Sequence, residues 1–198
     1  LGTDVGLRFK SARGRGGVVE NIYISDIYMF NILTDSFLFD LFYGGKSASE
    51  ALADGDTTPA GGDVLAVTKE TPVFRNIYVK NLVSRNARRA MLFKGLPEMN
   101  IENINLENAF ITARYGAEFS ESKEIHFKNV TVIPEEGPAY KFNNVKDFNS
   151  DNLLFKTGGH GKAAEITGAQ TSGINLSGLP EKMVEVAPEV NQTEILFE

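Results

Sequence analysis

The 198 residues carry 42% hydrophobic and 23% charged side chains, the range of one compact unit rather than a disordered tail. Without cysteine or tryptophan the chain excludes disulfides, a thiol nucleophile and thiolate-ligated metals. The net charge of −6 argues against general nucleic-acid binding. There is also no apolar run long enough to span a membrane as a helix.

The opening Leu1-Gly2-Thr3-Asp4 has no initiator Met and no charged-then-apolar leader, and reads as mid-protein. Directly after it comes an alternating segment, Gly6-Leu7-Arg8-Phe9-Lys10-Ser11, predicted to be a strand with Leu7 and Phe9 on one face and Arg8 and Lys10 on the other. Arg13 and Arg15 follow in a Gly-rich turn. These four cations run against the global sign, and the turn is expected to lie near an anionic ligand.

From residue 21 a short pattern recurs: small or polar, Ile, any, apolar, any, Asn or Asp, apolar. It reads Asn21-Ile-Tyr-Ile-Ser-Asp-Ile27, Asn76-Ile-Tyr-Val-Lys-Asn-Leu82, Asn103-Ile-Asn-Leu-Glu-Asn-Ala109 and Glu124-Ile-His-Phe-Lys-Asn-Val130, with weaker copies at 147–153 and 173–179. A second strand motif alternates with it and is anchored by Phe93, Phe119, Phe142 and Ile166, spaced by 26, 23 and 24 residues. Two short strand motifs at this period specify an all-β solenoid, because one coil cannot bury its apolar face alone. The expected fold is a right-handed parallel β-helix of about eight coils, roughly 38 Å long, with three parallel sheets of short strands. Phe9, Phe39, Phe93, Phe119, Phe142 and Ile166 are expected to stack as core rungs.

The recurring Asn or Asp is predicted to sit where each strand turns, tolerating αL geometry and forming ladders between coils. The same chemistry accounts for three glycosylation-like triplets at Asn129, Asn175 and Asn191. Ile22 and Ile77 are 55 residues apart, which leaves room for the strand Phe37–Tyr43 and a loop insertion at about 44–72. Arg85, Arg88 and Arg89 either extend the cationic face or form a solvated rim. Glu118 and Glu121 read as solvated strand positions, and Asp40 as an outward carboxylate near Arg8.

The segment Gly6-Leu7-Arg8-Phe9-Lys10-Ser11, with the turn Arg13-Gly-Arg-Gly-Gly17 after it, resembles the Arg-Ile-Lys signature of the polygalacturonases, glycoside hydrolase family 28. Phe9 stands where that family usually has Ile. The resemblance implies that Arg8 and Lys10 bind a uronic-acid carboxylate on the floor of a cleft, and that Tyr43, one coil on, is a further substrate-binding residue. It also implies inverting hydrolysis of α-1,4-galacturonan by two carboxyl groups about 6.5–9.5 Å apart. The family's Asn-Thr-Asp, Asp-Asp and Gly-His-Gly motifs precede the Arg-Ile-Lys, and none precedes Arg8 here. Gly159-His160-Gly161 lies about 150 residues on the wrong side and reads as a turn.

The chain is therefore expected to be the C-terminal, substrate-binding half of a pectin-degrading enzyme, truncated at its N-terminal end and inactive alone. No catalytic residue, cofactor or metal is assigned to it. Acidic polysaccharide is the expected partner, with neither nucleic acid nor membrane, and self-association is expected through the exposed N-terminal coil. Export, secreted or periplasmic, follows from the resemblance. The main alternative is a non-catalytic β-helix rod or polysaccharide-binding module. A pectate lyase-like helix would need calcium-binding carboxylates clustered beside Arg8, and the sequence shows no such cluster.

Overall fold

The computed structural model describes residues 1–42, 64–157 and 161–197. Its strands are β1 (Leu7–Lys10), β2 (Val18–Asp40), β3 (Val73–Lys94), β4 (Ile101–Phe155), β5 (Ala164–Thr167), β6 (Ser172–Leu176), β7 (Val184–Val186) and β8 (Ile195–Leu196). Each coil lies in parallel on the one before: β1 on β2, β2 on β3, β3 on β4, and β4 on both β5 and β6. This is the right-handed parallel β-helix that the repeat predicts.

The core is a stack of rungs. Phe9 pairs with Phe39, Phe39 with Phe93 and Phe93 with Phe119. Phe119 stacks on Phe142 with ring centroids 5.4 Å apart, Phe142 pairs with Ile166, and Ile166 with Val186. The six predicted anchors thus share one face. A second interior column runs through Ile22, Ile77 and Ile104 and ends in Phe148, Ile174 and Ile195. Full burial of each such side chain stabilises the fold by about 1.5–3 kcal/mol.

The strands are not short. β2, β3 and β4 run for 23, 22 and 55 residues, so the three expected sheets merge into one that wraps around the core. The reason lies in the corners. Asn21, Asp26 and Asn31 in β2, and Asn76, Asn81 and Asn86 in β3, each adopt positive φ between 55° and 61°. One αL residue turns the chain without a loop, so pairing resumes on the next residue.

These corners also bond to one another. Asn81 donates its side-chain amide to Asp26 at 2.9 Å, Asn108 to Asn81 at 3.2 Å, Asn129 to Asn108 at 3.1 Å and Asn152 to Asn129 at 3.0 Å. Every amide points toward the preceding coil, and the ladder begins at a carboxylate, which when ionised only accepts. Hydrogen bonds from Asn81 and Ser25 hold the Asp26 carboxyl below the usual range. With its folded pKa depressed, its contribution to stability is present above the unfolded value and fades as pH falls through the folded one. Asn129, part of a glycosylation-like triplet, is committed to the ladder on both sides.

Replacing Asn108 with Ala removes two neutral hydrogen bonds and leaves in αL a residue that tolerates it less well than Asn, a cost of about 1.5 kcal/mol. Asn108→Gly keeps the turn and is expected to lose about half as much. Urea midpoints of the two variants check this; equal losses would show that the ladder, not the turn, dominates.

On the side of β2 away from β3, the described residues supply β1 and the segment before it. Gly2, Thr3 and Asp4 bond Phe30, Leu33 and Thr34 through the backbone. Val18, Tyr23, Tyr28 and Leu33 are exposed, while Ile22, Ile24 and Ile27 are partly buried against the core.

Candidate functional site

Strand alternation on β1 turns Leu7 and Phe9 toward the core and leaves Arg8 and Lys10 exposed on the outer face. The ends of β1 are pinned by Gly6 N–H to Asp35 C=O and Ser11 N–H to Asp40 C=O, both 3.0 Å. A side chain on Gly6 would collide with Met29 and with the Ser36 carbonyl, so β1 meets β2 closely there. Register then defines the outer face. Arg8 sits beside Leu38, which sits beside Leu92 and then Glu118. In the neighbouring row Lys10 is followed by Asp40, Lys94 and Ser120.

Arg8 Nη2 donates to the Asp4 carboxylate, with the two side chains 37% and 60% exposed. Asp4 is held in place by Thr34, whose N–H and hydroxyl both donate to its carbonyl at 2.8 and 2.7 Å. A solvent-exposed pair of this kind is worth about 0–1 kcal/mol, so a carboxylate ligand can take the place of Asp4 at small cost. Asp40 accepts from the Phe42 N–H at 2.8 Å and stands in register between Lys10 and Lys94.

The arginines after Asn86 divide. Arg89 lies between two carboxylates, Nη1 3.7 Å from Asp35 and Nε 3.8 Å from Glu118. Burial pushes the Asp35 carboxyl up, against the opposing pull of Arg89 and Arg88. Arg89 Nε is itself buried without a hydrogen-bond partner. Its charge is spent inside this cluster, and its guanidinium occupies the space between the two acids. Arg85 instead stacks over the Phe110 ring at 5.5 Å, and Arg88 is exposed.

Two expectations are corrected. Arg13 does not wait for an anionic ligand: its Nε and Nη2 donate to the two oxygens of Glu98 at 2.6 and 2.8 Å, and it lies 5.6 Å from the Phe42 ring centre. Glu98 is 2% exposed. Burial pushes its carboxyl up, but the hydrogen bonds from Arg13 and the backbone, with the guanidinium charge, outweigh this and hold it below its ordinary value. The Gly-rich turn closes on the far end of the insertion, where Gly14 and Gly16 N–H both donate to Glu70 C=O. At Gly16, with φ of 62°, a Cβ would lie 2.2 Å from the Lys69 carbonyl oxygen.

The second correction is Glu121, which is buried rather than solvated. It occupies a corner with φ of 46° and accepts from the Asn144 amide at 2.6 Å. Burial raises its carboxyl, against the Asn144 hydrogen bond. Glu118 is an outward strand position, its side chain 38% exposed, and it also lies 3.8 Å from Arg89 Nε.

Arg8 and Lys10 are therefore together on one outer face, with Asp40 beside Lys10. Tyr43 and His160 lie outside the described residues. Sequence reasoning missed Asp4, Asp35 and Glu98. Asp4 is only four residues from Arg8 but in non-helical chain, where that spacing carries no signal, and Glu98 is 85 residues from Arg13. No family model, curated protein or solved structure matches the chain.

Proposed function

We propose that this chain is the substrate-binding part of a pectin-degrading glycoside hydrolase of the polygalacturonase type, with Arg8 and Lys10 holding a uronate carboxylate. The observation that carries the reading is the placement of these two cations two residues apart on one exposed strand face. A guanidinium can bind a carboxylate through two parallel hydrogen bonds, and the ammonium adds a point charge on the same side. Leu38, outward and half-buried beside Arg8, offers an apolar floor to a sugar ring. Tyr43 is proposed as a third contact on the strength of the resemblance alone. A protein that meets pectin works outside the cytoplasm, so export belongs to the same reading.

Binding, rather than cleavage, is assigned to these residues because the carboxylates nearest them are engaged: Asp4 with Arg8, Asp35 and Glu118 with Arg89, and Asp40 with the Phe42 amide. An inverting glycosidase needs one protonated carboxyl and one free carboxylate on opposite sides of the bond. The same feature favours a second reading, a non-catalytic β-helix that binds acidic polysaccharide.

Two measurements on the 198-residue chain bear on this. In affinity electrophoresis, polygalacturonate in the gel is expected to retard it, and to retard Arg8→Ala less. In a reducing-sugar assay it is expected to release nothing from polygalacturonate. Absence of retardation would sink both readings. Hydrolysis that vanishes in Asp40→Asn would instead make the chain a self-sufficient enzyme.

A further inference from the structure

A different face of the rod carries a second arrangement of side chains. Residues 23–25, 78–80, 105–107, 126–128 and 149–151 line a groove of about 690 Å³, within the 300–1,000 Å³ of ordinary small-ligand sites. Strand 27–30 and the corners at Asp26 and Asn31 separate it along the chain from the strands that carry Arg8 and its neighbours.

One outward row of this groove is aromatic and then amide. Tyr23 and Tyr78 stack at 4.9 Å with their rings 7° from parallel, and Tyr23 remains 74% exposed. Asn105 follows in register with Tyr78, and His126 and Asn149 line the groove beyond it. The second row alternates in sign: Lys80 is paired with Glu107 at 3.3 Å, and Lys128 and Asp151 follow. Two cations and two anions cancel, so the floor has no net charge with which to select an anion.

We infer that this groove binds an uncharged oligosaccharide lying along the rod. A sugar ring offers apolar C–H edges and many hydroxyls. Tyrosine supplies both an apolar body and a hydroxyl, while amide and imidazole groups donate and accept. The coil repeat of roughly 4.8 Å sets one such side chain under each step of a linear chain. A merely solvated sheet face has no need of two stacked tyrosines, one exposed and one half-buried, beside a run of neutral hydrogen-bonding groups. This site is independent of the uronate site: it differs in face, in charge and in ligand.

The test uses the full chain, ¹⁵N-labelled, titrated separately with β-1,4-galactotetraose and cellotetraose as neutral probes and with tetragalacturonate as the acidic one. At least one neutral probe is expected to shift amides in 23–25, 78–80 and 126–128, and to change tyrosine emission, which no tryptophan masks. Tyr78→Ala and, as an exposed and structurally mild change, His126→Ala are each expected to weaken that binding about tenfold, or 1.4 kcal/mol. Arg8→Ala is expected to leave it unchanged. The inference is overturned if neither neutral probe shifts those amides at about 10 mM, roughly ten times the Kd of a weak, 1 mM site. It is also overturned if both groove variants bind as the parent does, or if Arg8→Ala abolishes the neutral response. Failure here leaves the tetragalacturonate response of Arg8 untouched, and the reverse also holds.

Discussion

Phe93→Ala is expected to destabilise the chain by about 4 kcal/mol, the middle of the range for truncating a fully buried phenylalanine. Phe93 is 0% exposed and lies at the meeting point of the aromatic column, with ring centroids 5.3 Å from Phe37, 4.8 Å from Phe39 and 5.0 Å from Phe119. The cavity left by its ring would open in a rung whose backbone is paired on both sides, at Phe39 and Phe119. Those pairings restrict collapse into the void. Against a typical total stability of 5–15 kcal/mol, such a loss brings a marginal protein close to unfolding at room temperature. Phe9→Ala makes the internal comparison. Phe9 is only partly buried and belongs to the first rung, so its loss is expected to cost about 2 kcal/mol or less. Urea denaturation of both variants decides the matter. Equal costs for Phe93 and Phe9 would contradict a core organised as a column with protected middle rungs.

Arg8→Ala is expected to weaken binding of tetragalacturonate by about 1.5–3 kcal/mol, roughly ten- to a hundredfold, the range for a hydrogen bond to a charged group. The Arg8 side chain is 37% exposed and pairs with the solvent-exposed carboxylate of Asp4, so a ligand exchanges one carboxylate for another. Asp4→Asn sharpens the argument. Removing the competing charge is expected to tighten tetragalacturonate binding modestly, whereas a purely structural Arg8–Asp4 pair predicts lost stability and unchanged binding. Lys10→Ala is expected to have a smaller effect than Arg8→Ala, because an ammonium cannot make the bidentate contact. Calorimetric titration of the three variants, with thermal melts alongside, separates these outcomes.

How much of this was legible in the sequence depended on periodicity. Phe93, Phe119, Phe142 and Ile166 recur at spacings of 26, 23 and 24 residues, which stacking preserves, so the rungs could be read off the sequence, down to the pairing of Phe9 with Phe39. The corner asparagines were legible for the same reason: Asn81, Asn108 and Asn129 occupy equivalent places, and αL geometry explains why Asn does. The continuity of β2 to β4 was not foreseen, because alternation in sequence marks where side chains point and says nothing of whether pairing survives a corner.

Contacts made once per molecule have no repeat to announce them. Arg13 reaches Glu98 across 85 residues from a non-periodic turn, and Glu121 turns inward at a corner where its neighbours suggested a solvated strand. The outward direction of Arg8 and Lys10 followed from two-residue alternation. Asp4 as the partner of Arg8 did not, since it depends on how the segment before β1 bonds Thr34.

The central claim is that the Arg8 and Lys10 face recognises the negative charge of a uronate, and one comparison tests it most directly. The full chain is titrated calorimetrically with tetragalacturonate and with its fully methyl-esterified counterpart, which keeps the ring and hydroxyls but removes every carboxylate charge. The acid is expected to bind through Arg8 and the ester to bind at least about tenfold more weakly, with the difference shrinking as salt is raised. Equal affinity for acid and ester, or a preference for the ester, would contradict the account.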